Sequence, residues 1–427
     1  VKIWQWVESY HPDYGGGAAL AAKSICESLN ERRHEVRVLC TESNDTAPYS
    51  IRTETINGVR VDRINLPYFR RNDPDGWQLG RQRWKAHERQ VDQLLRALIA
   101  EWRPDVVHTH MARPLGEQCF FTLAKLSVPI VATLHDAWLI CPRMYLLRSP
   151  DTTACSGPST CGCLECLYSH YDGSRLRALA KLPWRVLKLG TYPAWRLARR
   201  RAARQLLSGT MPCAQWLGER HRGHVPGRMV HLPLGIDLSD RPAQWPDRPR
   251  TPLRFGFVGG FQPHKGLGDV LQAVEALSSQ ERIFELHVWG PGQDTAAAQA
   301  VARNPRIRLR GTYTGAGRWE AYAEMDVLLA ATTVCDPFPL VMQEGAAAGV
   351  PIIAPAIGGF AEWVRNGENG LLYRFRDATD LRRQMQRILD EPDLLPRLRS
   401  RLTFPRDSQD AVDDIERFYR DVLVGPA

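Results

Sequence analysis

The sequence predicts an α/β fold in two successive domains, each built on a parallel sheet covered by helices on both faces. Three observations predict it. Short apolar, strand-like runs alternate with segments of helical periodicity, the pattern of parallel sheets. That alternation starts at the first residues and starts again near residue 253. The chain has 427 residues, enough for two domains of ordinary size.

The first domain is expected over 1–240. Val1–Val7 reads as a strand, the glycine turn Tyr14-Gly15-Gly16-Gly17 follows, and Ala18, Ala22, Ile25 and Leu29 recur at helical spacing. Glu35–Cys40, Asp105–His108 and Val128–Leu134 are the next strands. Residues 240–252 hold several prolines and charges and read as a linker. The second domain is expected over 253–405. Its strands are Leu253–Val258, Leu286–Trp289, Ile307–Leu309, Asp326–Ala330 and Pro351–Ala354, with a helix over Gly268–Leu277. The tail, 406–427, contains an amphipathic helix over Ala411–Val424.

Apolar residues make up 44% and charged residues 24%, so large-scale disorder is not expected. No apolar run reaches the roughly 18 residues of a membrane span. VKIWQWVESY lacks the charged lead and long apolar run of a signal peptide and is expected to be a strand. The net charge of +9 favours anionic partners. Ten cysteines are too few for a disulfide-built fold, and a reducing cytoplasm is the expected compartment.

Three constellations carry chemistry. Gly15, Gly16 and Gly17 lie between a strand and a helix, where bare backbone and a helix N-terminus suit a diphosphate or simply a tight turn. Their spacing is neither the dinucleotide fingerprint nor a Walker loop, which counts against hydride transfer and kinase chemistry. Val258-Gly259-Gly260-Phe261-Gln262-Pro263-His264-Lys265-Gly266 repeats that arrangement, with Lys265 placed to hold phosphate oxygens. Asp336-Pro337-Phe338-Pro339-Leu340-Val341-Met342-Gln343-Glu344 sets two acids with seven residues between them, and a small-residue helix follows. A carboxylate accepts two hydroxyl hydrogen bonds, so one acid could serve a sugar and the other a ribose. By spacing alone, a surface acid and a helix acid are the commoner outcome.

Taken together these segments resemble family-4 glycosyltransferases, over nearly the whole chain. The markers are HPDYGGGA, PDVVHTH at 104–110, ATLHD at 132–136, HLPLGID at 231–237 and VGGFQPHKG at 258–266. DPFPLVMQEGAAAGVPIIAP at 336–355 and GGFAEWVRNGENGLLY at 358–373 complete them. The resemblance implies the GT-B fold: two facing Rossmann-like domains, with a C-terminal helix crossing back to the first. It implies a retaining, metal-independent transfer of a hexosyl or N-acetylhexosaminyl group from a UDP-, GDP- or ADP-linked donor. The acceptor would be a sugar or a lipid-linked acceptor, in polysaccharide, glycolipid or other glycoconjugate synthesis. Carried over, Glu344 would bind the ribose and Asp336 the donor sugar. Lys265 would hold the diphosphate, helped by amides near Leu340 and Val341 beside Phe338, and by Gly259 and Gly260. Gly15, Gly16 and Gly17 would lie against the diphosphate from the other domain, and His135 beside the transferred sugar. His108 and His110 are expected to be structural. Four positions depart from the family pattern. Asp336 stands for the first glutamate, Gly260 for a frequent arginine, Pro339 for a frequent glycine and Leu234 for a frequent asparagine.

Two features stand outside this scheme. Five cysteines fall between Cys141 and Cys166. Cys163-x2-Cys166 is a zinc-knuckle spacing that Cys141 and Cys155 could complete as a structural site; free thiols or a disulfide are the alternatives. Ser174–Arg204 holds ten Arg or Lys and no acid, interleaved with Trp184, Tyr192 and Trp195. That composition suits an anionic membrane surface at the inner face, or equally a helix pair whose Arg stems cover core residues. A nucleotide-sugar 2-epimerase of the same architecture and a non-catalytic sugar-nucleotide-binding subunit are the rival functions. Nucleic acid, suggested by charge alone, is not an expected partner.

Overall fold

The computed structural model describes residues 1–12, 16–44, 46–66, 81–148, 153–172 (backbone alone from 168), 191–246, 249–278, 283–292, 298, 301, 303–313 and 317–424. The chain divides into two compact units, Val1–Leu234 with Ser408–Ala427, and Gly235–Asp407.

The first unit carries an eight-stranded sheet. Its strands are β1 (Lys2–Trp6), β2 (Glu35–Glu42), β3 (Ile51–Ile56), β4 (Val59–Asn65), β5 (Val106–Thr109), β6 (Ile130–Leu134), β7 (Gly209–Pro212) and β8 (Arg228–Met229). The order is β3-β4-β2-β1-β5-β6-β7-β8. All pairings are parallel except β3 with β4. The wholly parallel expectation misses that hairpin, although Asn57-Gly58 signals it. Both residues have positive φ, 50° and 80°, as a two-residue hairpin turn demands. Helices α1 (Gly17–Glu31), α2 (Arg81–Glu101), α3 (Gln118–Lys125), α4 (Thr160–Asp172), α5 (Tyr192–Ala203) and α6 (Gln215–His221) belong to this unit.

The tail helix, Ser408–Val424, also belongs to the first unit and packs on α1. Ala411, Val412, Ile415, Phe418 and Tyr419 form its buried stripe, spaced for one helix face. Arg32 pairs with Asp413 and with Glu416 (2.9 Å), and His34 contacts Glu416 at 2.6 Å. Gly209 makes room for Phe418: a Cβ there would lie 2.6 Å from the Phe418 ring.

The second unit carries six parallel strands. They are β9 (Leu253–Val258), β10 (Phe284–Trp289), β11 (Ile307–Leu309), β12 (Val327–Leu329), β13 (Ile352–Pro355) and β14 (Gly370–Tyr373). The order β11-β10-β9-β12-β13-β14 is that of a doubly wound nucleotide-binding sheet. Side chains alternate between two cores. Val327 and Leu329 join one with Phe255, Phe257, Leu286 and Val288, while Leu328 joins the other with Ile352 and Ala354. Helices α7 (Leu267–Ser278), α8 (Gly317–Ala323), α9 (Leu340–Ala347), α10 (Gly358–Trp363), α11 (Ala378–Asp390) and α12 (Leu394–Ser400) belong to this unit.

Candidate functional site

In a doubly wound sheet a ligand sits beyond the carboxyl ends of the strands where the order reverses. In the second unit that point lies between β9 and β12, and the loops leaving those strands carry Lys265 and Asp336. The two loops are locked together. Thr333 N donates to His264 O (2.9 Å), and Thr332 Oγ1 donates to the same carbonyl (3.2 Å). Gly266 has a φ of 74°, and a Cβ on it would fall 1.6 Å from Ala331 O, so no other residue fits between the loops. Lys265 is exposed at their junction. Burial pushes the Asp336 carboxyl above its usual range, and the Lys265 ammonium and the Phe338 N–H pull it partly back.

The Asp336–Pro339 turn rests on the start of α10. Gly359 N donates to Asp336 O at 2.7 Å, and a Cβ on Gly359 would lie 2.1 Å from Pro337 O. Phe338 is buried, edge-on to Trp363 with ring centres 5.8 Å apart. Pro339 then caps α9 without a side-chain cap bond. The first-turn N–H groups of Leu340 and Val341 therefore have no acceptor within the helix and form a locally positive end. Glu344 lies one turn further in. Tyr322 Oη donates to Glu344 Oε2 at 2.7 Å. Burial raises the Glu344 carboxyl; the Tyr322 hydroxyl and Arg318 lower it, and Asp240 raises it. Arg318 and Trp319 are themselves fixed on Asp240 Oδ1, at 2.7 and 2.6 Å. Gly260 is buried beside Gln262; a Cβ there would meet Gln262 Oε1 at 2.2 Å. The Gln262 side chain thus fills the space into which an arginine at 260 would enter. Lys265, Asp336, the Leu340 and Val341 N–H groups and Glu344 thus belong to the loops and helix start at this switch point, groups that can take an anion and hydroxyls, while Phe338 is buried against Trp363.

In the first unit the order reverses between β1 and β5. Gly16 and Gly17 follow β1 at the start of α1; Gly15 lies outside the described residues. Gly16 is exposed, with a φ of 122°, and its carbonyl accepts from Ala19 N (3.1 Å). His135 follows β6. Register explains what it meets: Gln5 pairs with His108, and His108 with Val131, so His110, Thr133 and His135 continue one face at the strand ends. His135 Nε2 lies 2.8 Å from His110 Nδ1, and His110 Nε2 lies 2.9 Å from Gln5 Oε1. Gln5 Nε2 donates to Tyr419 Oη (3.2 Å), which contacts His108 Nδ1 (2.6 Å). Burial lowers His135 to about 4 and His108 to about 3, and holds His110 well below the usual value, so all three are neutral at physiological pH. The sequence shows His108, His110 and His135; it does not reveal Gln5 or Tyr419 as their partners. In the second unit it missed Tyr322, Arg318 and the seat at Gly359, although the paired glycines 358 and 359 were a signal.

Cys141, Cys155, Cys163 and Cys166 line one cavity of about 240 Å³ together with Arg148 and His224. None of the four is in a disulfide. Cys155 Sγ donates to Gly157 O (3.4 Å), and Cys141 Sγ accepts from the Leu146 and Arg143 N–H groups. Among the described residues, no three His, Cys, Asp or Glu side chains are gathered closely enough to hold a metal ion.

Of the basic segment, 173–190 lies outside the described residues. Within α5, Arg196 and Arg200 turn inward, Arg199 is half-buried and Arg201 is exposed. Arg196 is fully buried over Trp84 (3.6 Å) and bonds Glu117 at 3.2 Å. Arg200 shares Glu117 (3.4 Å), and Arg199 pairs with Glu88 (3.2 Å). Arg196 and Arg200 thus place stems and heads in the unit's interior. Among the described residues, no helix is long and apolar enough to cross a membrane.

Comparison with known proteins agrees with this geometry. Residues 252–391 match the family model for glycosyl transferases group 1, and residues 16–158 the model for a glycosyl transferase 4-like domain. Glycogen synthase of Mycobacterium tuberculosis is 27% identical over 94% of this chain and 90% of its own length. A D-inositol 3-phosphate glycosyltransferase of Streptomyces bingchenggensis is 30% identical over 47% of this chain and 48% of its own. Among solved structures, sucrose-phosphate synthase from Thermosynechococcus elongatus superposes with a TM-score of 0.68 at 17% identity, covering 99% of each chain. Anabaena HepE in complex with UDP and glucose gives 0.63 at 16%, covering 98% of this chain and 99% of its own. These likenesses establish the GT-B fold. With both family models matched in order and that fold beneath them, the chain belongs to the group 1 glycosyltransferases.

Proposed function

We propose that the protein transfers a sugar from a nucleotide-sugar donor to an acceptor with retention at the anomeric carbon, in polysaccharide or other glycoconjugate synthesis. The observation that carries this is the centre at the β9–β12 switch point: a lysine, a bare helix N-terminus and two partly buried acids on interlocked loops. In this reading Glu344 accepts the ribose hydroxyls, pre-oriented by Tyr322. Lys265 and the Leu340 and Val341 amides face the diphosphate. As the glycosidic bond breaks, charge grows on that diphosphate, and donors already in place stabilise it without reorganising. Asp336 takes hydroxyls of the donor sugar; Gly16, Gly17 and His135 serve the same donor. No metal enters these roles.

The acceptor is a sugar or a lipid-linked molecule. A thermal-shift screen with UDP-, GDP- and ADP-sugars, followed by mass spectrometry of products, tests the function. One donor class should stabilise the protein and yield a transferred or hydrolysed sugar; a flat screen with no product refutes the proposal. Co-sedimentation with anionic vesicles tests a lipid surface. Arg175, Arg177, Lys181, Arg185 and Lys188 are the cations to reverse, because Arg200 is buried on Glu117.

A further inference from the structure

The tail helix follows the second unit in sequence, yet its Tyr419 side chain ends inside the first unit, in the hydrogen-bond chain that reaches His135. Five side chains stand in line: Thr133, His108, Tyr419, Gln5 and His110, with His135 at the end. A neutral imidazole has one donor and one acceptor nitrogen, so each link fixes the next. Gln5 Nε2 donates to Tyr419 Oη, which leaves the Tyr419 proton to go to His108 Nδ1 (2.6 Å) and His108 Nε2–H to Thr133 Oγ1 (2.7 Å). In the other direction, Gln5 Oε1 accepts at 2.9 Å, so the His110 proton is on Nε2. His110 Nδ1 then accepts, and the partner nitrogen 2.8 Å away, His135 Nε2, carries the proton. His135 Nδ1 is left bare, with no protein partner among the described residues.

We propose that Tyr419 is a positioning residue: through Gln5 and His110 its hydroxyl holds His135 as the Nε2–H tautomer, so that Nδ1 serves as a hydrogen-bond acceptor for a hydroxyl of the donor sugar. The sugar contact rests on the function proposed above; the relay itself rests on the hydrogen bonds alone. Its physical sense is that the buried amide and phenol can reverse their bonds only if every imidazole in the line changes tautomer with them, so one direction is held along the whole chain. Docking of the tail helix is thereby coupled to the pose of a site histidine.

Nitrogen NMR of the histidine-labelled full chain reads the tautomer directly and needs no donor. In the wild type, His135 should show a protonated Nε2 and an unprotonated Nδ1. Tyr419→Phe keeps the ring and removes the hydroxyl; His135 should then populate both tautomers while the melting temperature moves little. Gln5→Leu should do the same, whereas Gln5→Glu, which still accepts from His110, should restore the wild-type pattern. With whichever donor the screen identifies, Tyr419→Phe should lower kcat roughly fivefold, as for one lost hydrogen bond, and leave the donor KM unchanged. A wild-type His135 protonated on Nδ1 overturns the relay without any variant. So does an unaltered His135 in a folded Tyr419→Phe. Spectra as expected in a protein that transfers no sugar would leave the relay standing and refute the function.

Discussion

The two units each gather polar side chains at the reversal of their sheets, but with opposite electrostatics. The centre of the second unit is ionic and partly open: Lys265 is exposed, and Asp336 and Glu344 are part-buried, with local cations opposing the upward push of burial. The centre of the first unit is neutral and largely closed. His108, His110, Gln5 and Thr133 are buried, and burial keeps the histidines uncharged. An ionic centre attracts and holds a charged ligand. A neutral hydrogen-bonded chain contributes little attraction, but fixes directions. In the function proposed above, donor affinity falls to the second unit and orientation of a sugar hydroxyl to the first.

Removing the exposed cation should break the ionic side most. Lys265→Ala should cost about 2 to 4 kcal/mol of transition-state stabilisation, read as kcat/KM, with the fold intact. The gap from wild type should narrow as salt rises, since exposed charges are screened. Near-normal turnover would remove Lys265 from the site.

The two acids should then separate. Glu344→Ala should weaken free nucleoside diphosphate binding by about 1.5 to 3 kcal/mol, the worth of hydrogen bonds to a charged group. Asp336→Ala should leave that binding nearly unchanged and lower transfer. Calorimetry with the nucleoside diphosphate decides: equal losses would contradict the division. A smaller effect, about 1 kcal/mol, is expected of Tyr322→Phe. The hydroxyl lowers a Glu344 pKa that burial has raised. Without it the carboxyl protonates at a still higher pH, so nucleotide affinity should begin to fall earlier as the solution is acidified. An unshifted acid limb would mean that Tyr322 does not tune Glu344.

The same contrast explains what the sequence revealed. Lys265, Asp336 and Glu344 stand out because each lies next to its own structural cause: glycines, prolines and a helix start within a few residues. Topology then needed only the β9 and β12 loops to meet. Strands such as Leu253–Val258 fall where periodicity puts them. The short strands β7, β8 and β14 went unassigned, because two to four residues carry too little periodicity. The neutral chain was illegible for another reason. Gln5 and Tyr419 are 414 residues apart and meet through sheet register and tail docking, neither of which leaves a local mark. Likewise, the inward turn of Arg196 and Arg200 depends on Glu117, which lies far from both in sequence.

The smallest expected effect bears most directly on the neutral centre. A histidine that acted as a charge would make transfer depend on pH near its ordinary pKa of about 6.5. Burial has lowered His135 to about 4, and neither His108 nor His110 offers it a negative charge that would restore the cation. Between pH 6 and pH 8 its protonation therefore does not change. His135→Ala should lower transfer by the same factor at both ends of that range, whatever the carboxylates do to the absolute rates. Measuring wild type and variant in parallel at pH 6, 7 and 8 isolates that factor, because changes at Asp336 and Glu344 cancel in the ratio. A loss that grows severalfold toward pH 6 would show an imidazolium at work. The first unit's centre would then be ionic like the second's, and the contrast between them would fall.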